Sequence, residues 1–335
     1  MDFKFSLDRF GAICLILLGL MTSPAVMSAD PVRVAVLKFG TVNWELNVLK
    51  HHNLDQKFGV DVEVQKLGSK NATTVALQGG AADILVSDWI WVSRQRAEGK
   101  DYVFFPYSLA TGKLMVAADS GIEKPGDLAG NKLGIAGGPV DKSWLLFQAW
   151  YKKTTGNELA DNVEPTFGAP PLLNKIMLRG EIPAAINFWH YTARLEAAGM
   201  KPILSVAETL PELGINNPVP LLGWVFSESW AKANPDKIAG FLQATYAAKS
   251  LLKTSDAEWD RIRSLTKAED DQVFTTLRSA FRAGIPTSYG DAEIQSSARL
   301  FEILAKIGGE KLVGKSTTLT DGTFWTTTKV DPLNQ

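Results

Sequence analysis

The stretch Gly80-Ala-Ala-Asp-Ile-Leu-Val-Ser-Asp-Trp-Ile-Trp-Val-Ser-Arg-Gln-Arg-Ala-Glu-Gly99 constrains the fold of this chain more than any other. A short apolar run, Ile84 to Val86, reads as a buried strand and passes straight into a helix that Ser87 or Asp88 can cap. Open α/β sheets hold ligands at the carboxyl ends of their strands, so this turn is a candidate binding position. One hundred residues on, Gly180, Trp189, Arg194, Ala197 and Gly199 fall opposite Gly80, Trp89, Arg94, Ala97 and Gly99. Two readings stay open: two similar lobes, each with a tryptophan at a strand-to-helix turn, or a chance likeness between ordinary βα units.

The rest of the chain extends the alternation. Strands are expected at Val32 to Leu37, Val60 to Val64, Tyr102 to Phe105, around Leu114, at Asn131 to Ala136, Val163 to Phe167 and Pro202 to Val206, with helices between them. Strands alternating with helices mark doubly wound sheets. The turn-rich Ser120 to Gly130 reads as a crossing between lobes, and Pro218 to Phe226 as a strand that returns. The expected division is lobe 1 from 30–117 and 223–335, and lobe 2 from 118–222, joined by a hinge crossed twice.

The first 29 residues read as an export signal, with Lys4 and Arg9 ahead of the apolar run Gly11 to Met21 and cleavage expected after Ala29. A periplasmic, monomeric protein is the expectation, since no coiled-coil heptad or apolar surface stripe suggests assembly. A formal net charge of -1 without a long basic run argues against nucleic acid or an acidic membrane surface as partner. The only cysteine, Cys14, lies in that apolar run, so the processed chain has no disulfide, thiol nucleophile or thiolate metal site.

Binding is better supported than catalysis. There is no G-x-S-x-G and no H-E-x-x-H. His51 and His52 stand side by side near a helix end, where they are expected to point apart as solvated side chains, and no metal site is expected. Gly137-Gly138 before a helix lacks both nucleotide-binding glycine patterns, but an anion at that helix start, helped by Lys142, is consistent with it. Of ten tryptophans, Trp44, Trp89, Trp91, Trp144, Trp189 and Trp224 fall at or just beyond expected strand ends. With Lys113, Lys142 and Arg94 nearby, they suggest a cleft for something flat and anionic, in which rings stack and cations bind carboxylates. Trp91 and Trp224 read more readily as core, Arg94 and Arg96 face either cleft or solvent, and His190 either contacts ligand or packs locally.

Several segments carry a family resemblance: Leu77-Gln-Gly-Gly-Ala-Ala-Asp83, Ala118 to Ile135, and Phe226-Ser-Glu-Ser-Trp-Ala-Lys-Ala-Asn-Pro235. In this order the chain resembles the periplasmic solute-binding proteins of nitrate/sulfonate/taurine-type ABC importers. The resemblance implies two α/β lobes of the periplasmic binding protein fold, a ligand held between them, no enzymatic activity, and a membrane permease with its ATPase as partners. More narrowly, Trp44-Glu-Leu-Asn47, Ser87 to Gly99, Gly137-Gly-Pro-Val-Asp-Lys-Ser-Trp144, Phe167-Gly-Ala-Pro-Pro171 and Asn187-Phe-Trp-His190 look like the subset encoded beside quinoprotein alcohol dehydrogenases. That subset implies pyrroloquinoline quinone, PQQ, as the ligand, the alternative being a small sulfonate, nitrate-like or aromatic carboxylate solute. The expected contacts are Trp89 and Trp189 as ring faces, Lys142 and Lys113 as cations, and Trp44, Trp144, Asn187 and His190 around them. No catalytic residue and no catalytic cofactor are expected.

Overall fold

The computed structural model describes residues 30–331 and Leu333. The expected signal segment and its cleavage after Ala29 lie outside the described residues. Ten strands form two sheets of five: β1 (Val32–Leu37), β2 (Val62–Leu67), β3 (Ile84–Ser87), β4 (Tyr102–Ser108) and β10 (Leu222–Ser227) in lobe 1, and β5 (Lys113–Val116), β6 (Lys132–Ala136), β7 (Glu164–Gly168), β8 (Ala184–Asn187) and β9 (Lys201–Ser205) in lobe 2. The orders, β2-β1-β3-β10-β4 and β7-β6-β8-β5-β9, correspond position by position. In each sheet the fourth strand runs antiparallel to both neighbours and is the strand that follows a crossing. This is the two-lobed periplasmic binding protein fold.

The hundred-residue echo is one architecture used twice. β3 and β8 hold the central position of their sheets, and each feeds a helix of equal length, Trp89–Ala97 and Trp189–Ala197. The matched glycines share a backbone conformation: φ is +71° and +74° at Gly80 and Gly180, and +82° and +87° at Gly99 and Gly199. Side chains with a β-carbon rarely adopt it, which is why glycine stands at both ends of both units.

One boundary differs from the sequence reading. Lys113–Val116 pairs with β8 and β9, so the first crossing is Leu109 to Gly112 and not the turn-rich segment after Ala117, which is an excursion within lobe 2. An apolar run shows that a strand exists but not which sheet receives it.

The closing helix, Asp291–Val313, belongs to neither sheet alone. Its Leu300, Phe301, Leu304 and Leu312 join one apolar cluster with Trp89 and Phe104 of lobe 1 and Leu133 and Trp144 of lobe 2. No helix among the described residues is long and apolar enough to cross a membrane.

Beneath the floor of lobe 1, Lys249 and Glu45 form a fully buried ion pair. The Lys249 ammonium lies 4.4 Å from the Tyr107 ring centroid and 5.0 Å from that of Tyr246. Burial pushes the Glu45 carboxyl up to about 7 against the opposing pull of Lys249. Removing one member strands the other charge in the core, so Lys249→Met should cost about 3 to 5 kcal/mol. The paired Glu45→Leu/Lys249→Met change should recover most of that loss, as read from urea denaturation midpoints.

Candidate ligand cleft between the lobes

The carboxyl edges of the two sheets face each other, and a carboxylate joins them. Asp88, directly after β3, caps its own helix by accepting from the Trp91 N–H at 2.9 Å through Oδ1. Its Oδ2 accepts from Lys70 of lobe 1 at 3.2 Å and from Lys142 of lobe 2 at 3.3 Å. Burial alone would raise this carboxyl, but the charges of Lys142 and Lys70 and the Trp91 N–H overcome it and hold it well below its ordinary range. Lys142 is placed by local chemistry: the chain turns after β6 at Gly137, φ +91°, and Asp141 caps the helix Lys142–Thr155 by accepting from the Ser143 and Trp144 N–H groups.

Further contacts keep the lobes together. Trp189 of lobe 2 meets Trp44 of lobe 1 edge to face, with centroids 5.9 Å apart. Arg194 donates to the Thr266 carbonyl at 3.0 Å and pairs with Glu269 at 3.2 Å. At the hinge end a cavity of about 200 Å³ remains, lined by both lobes. Its polar wall is Thr111, Lys113, Thr192, Glu196 and Ser205, with Trp189 over it. The helix beginning at Trp189 has Phe188 in its N-cap position and no side-chain cap; the Tyr191 N–H donates to the Phe188 carbonyl at 2.8 Å, so the Trp189 and His190 N–H groups are the ones at its start that an acceptor could meet.

The structure brings some of the expected contacts to the cleft and not others. Lys142, Lys113 and Trp189 are there, but both lysines are already paired, Lys142 with Asp88 and Lys113 with Glu196 at 2.8 Å. His190 follows Trp189 and is half-buried. Trp89 is not a ring face: it is fully buried, packed on Phe301 and Phe324 at 6.2 Å each. Trp44 is buried among Trp259 and Phe281 and donates from Nε1 to the Leu265 carbonyl at 3.1 Å. Trp144 is buried with its ring edge toward Phe167. Asn187 is buried and its amide is spent, donating to the Pro170 carbonyl and Asn174 Oδ1 and accepting from the Phe188 N–H. These four side chains build the walls.

Arg96 reaches the Asp321 carbonyl and Glu228, and Arg94 the Leu312 carbonyl, so both arginines hold the C-terminal segment. Trp91 stacks on Tyr102, and Trp224 lies in the core against Phe241. His51 and His52, expected to point apart, converge with Glu258.

The sequence reading passed over an apolar rim. Phe39, 88% exposed beyond β1, stands with Val140 beyond β6, Phe167 near the end of β7 and Leu222 at the start of β10, all exposed at the edge that faces the cleft. For Phe39 and Val140 a signal was available, since large apolar residues in loops between strand and helix have no core to serve.

Comparison with known proteins agrees with this architecture. A family model described as NMT1/THI5 like matches residues 48–254, and the chain belongs to that family. No curated protein matches by sequence. Among solved structures, the chain is similar to the periplasmic aliphatic sulphonate binding protein SsuA from Escherichia coli, with a TM-score of 0.69 at 16% identity over 92% of this chain and 96% of that one. It is also similar to the alkanesulfonate-binding protein SsuA from Xanthomonas axonopodis pv. citri bound to MOPS, at 0.63 and 16% over 89% and 99%. The periplasmic nitrate-binding protein NrtA from Synechocystis PCC 6803 gives 0.54 and 13% over 74% and 69%. At these identities the likeness is one of fold.

Burial, reinforced by the charge of Arg194, pushes the His190 imidazole down to about 4 from its usual 6.5. The unfolded chain therefore takes up a proton near pH 6.5 that the folded chain refuses until about pH 4. Stability should be complete above pH 6.5 and fall by up to about 3 kcal/mol as pH drops through that window. Melting curves of wild type and His190→Gln between pH 7 and 4 check this: the variant should lose less stability on acidification.

Proposed function

We propose that this NMT1/THI5-like protein is the periplasmic solute-binding component of an ABC importer. It closes two lobes on a small anionic solute and presents the closed form to a permease driven by its ATPase. The observation that carries the reading is Asp88 with Lys70 and Lys142: a buried carboxylate draws one cation from each lobe to the point where the lobes meet, and Lys142 stands at a helix start, where an anion is favoured. The start of the helix Trp189–Ala197, which has no side-chain cap, adds the Trp189 and His190 N–H groups from lobe 2. Cations, hydroxyls and backbone donors hold an anion without reacting with it, so the reading is of a binding protein and not an enzyme.

The solute is read as a sulfonate or similar oxyanion with a short apolar body. A cavity of about 200 Å³ is smaller than the roughly 300 to 1,000 Å³ of pockets that enclose drug-sized ligands. The sulfonate-binding and nitrate-binding names of the similar structures point the same way. PQQ is the finer alternative, favoured by the apolar rim at Phe39 and Phe167 and by cations that suit its carboxylates. It would need the lobes further apart than they stand, and a stacking surface other than Trp89.

Calorimetric titration of the exported protein with an alkanesulfonate and, separately, with PQQ tests the reading. One of the two should bind one to one and compact the protein in small-angle scattering at a monomer's mass. Lys142→Ala should weaken that binding about tenfold, the loss of a charge-assisted contact worth ~1.5 kcal/mol. Saturable binding of neither ligand, nor of nitrate, sinks the proposal. N-terminal sequencing of the periplasmic fraction should begin at Asp30, and an intact Met1 would overturn the export reading.

A further inference from the structure

We propose that His51, His52 and Glu258 form a surface site for a divalent transition-metal ion of the zinc class. One ligand atom from each lies within 4.8 Å of the others. His52 Nε2 is already 2.8 Å from Glu258 Oε1, and the two imidazole rings stand edge to face with centroids 4.9 Å apart.

Neighbouring residues within a helix diverge by about 100°, but these two straddle the helix end. His51 is the last residue of the helix Val42–His51, and His52 is its C-cap. Glu258 comes from the first turn of a different helix, Asp256–Thr266, so the set depends on the fold and not on local spacing. An ion bound at about 2.0 to 2.2 Å from each atom needs the widest pair to close by roughly 1.5 Å, which rotation of exposed imidazoles supplies.

The surroundings favour a cation. A helix C-terminus is the negative end of its dipole, and the histidines sit there. Arg261 is the competing charge, and it binds Glu258 through Oε2 at 3.0 and 2.9 Å, leaving Oε1 directed at His52. Arg261 also donates to Asn47 at 2.7 Å, so the carboxylate is fixed by a group that already ties the two helices together. Such outer contacts orient metal ligands in established sites. Two imidazole nitrogens and one carboxylate oxygen suit Zn²⁺, Ni²⁺ or Cu²⁺, and do not suit Mg²⁺ or Ca²⁺, which take oxygen. A bound ion would clip the helix carrying Trp44 to the helix carrying Trp259, behind the surface on which Trp189 docks.

The test is calorimetric titration of tag-free, EDTA-stripped full-length processed protein with Zn²⁺, with Mg²⁺ as control. Two of the chain's three histidines are in the site, so background binding is small. One Zn²⁺ per chain is expected, weakened at least tenfold in His51→Gln and in Glu258→Gln, with unchanged circular dichroism. Co²⁺ should give a visible absorption band that both variants lose. Absence of one-to-one Zn²⁺ binding by wild type overturns the site. So does equal binding by wild type and the His51→Gln/His52→Gln variant.

Discussion

Asp88 is the group on which the arrangement of the lobes depends. Its carboxylate does two jobs with two oxygens: one closes the first turn of the helix Trp89–Ala97, the other draws Lys70 and Lys142 to a point between the lobes. Because the group is buried, the pair with Lys142 is screened by solvent far less than a surface ion pair. Because it is also a helix cap, its position is set by the backbone of lobe 1 and not by the flexibility of a long side chain. Closure therefore has a fixed register: Lys142 finds its partner only when the turn after β6 meets the turn after β3.

The two lobes share a plan but not a chemistry. Where lobe 1 has Asp88, lobe 2 has Phe188 at the matching position, and its helix begins without a side-chain cap. One copy of the turn brings its own anion to the Trp91 N–H; in the other the matching Tyr191 N–H turns back on the Phe188 carbonyl at 2.8 Å. Asn187 explains how the lobe 2 turn holds its shape: it locks β8 to the start of the neighbouring helix through Pro170 and Asn174. A repeat that began as symmetry in sequence ends as a division of labour across the cleft.

Much of the fold was legible because its signals are local. Period-2 and apolar runs marked the strands to within a few residues, and the glycines at 80, 99, 180 and 199 marked where both βα units begin and end. The first crossing was misread because strand membership is set by partners about seventy residues away in β8 and ninety in β9. The site was half legible for the same reason. Position at a strand end located Trp89, Trp144 and Asn187 but gave no direction, and the core residues among which the two rings are buried, Phe301 and Phe324 for one and the cluster with Leu304 and Leu312 for the other, are not adjacent in sequence. Lys113 and Lys142 were found as cations and Asp88 as a cap, whereas the pairing of Lys142 with Asp88 and of Lys113 with Glu196 is set by elements that are far apart in sequence.

The placement of β10 has a consequence for the order in which the chain can organise itself. Lobe 2 is a continuous stretch, with all five of its strands complete by Ser205. Lobe 1 lacks the strand between β3 and β4 until Leu222–Ser227 arrives. A chain that emerges N-terminus first can thus pair all the strands of the inserted lobe while the host sheet is still divided, with the inner edges of β3 and β4 unpaired. Those edges are the places where a holding chaperone would find bare backbone, and they vanish with the insertion of six residues.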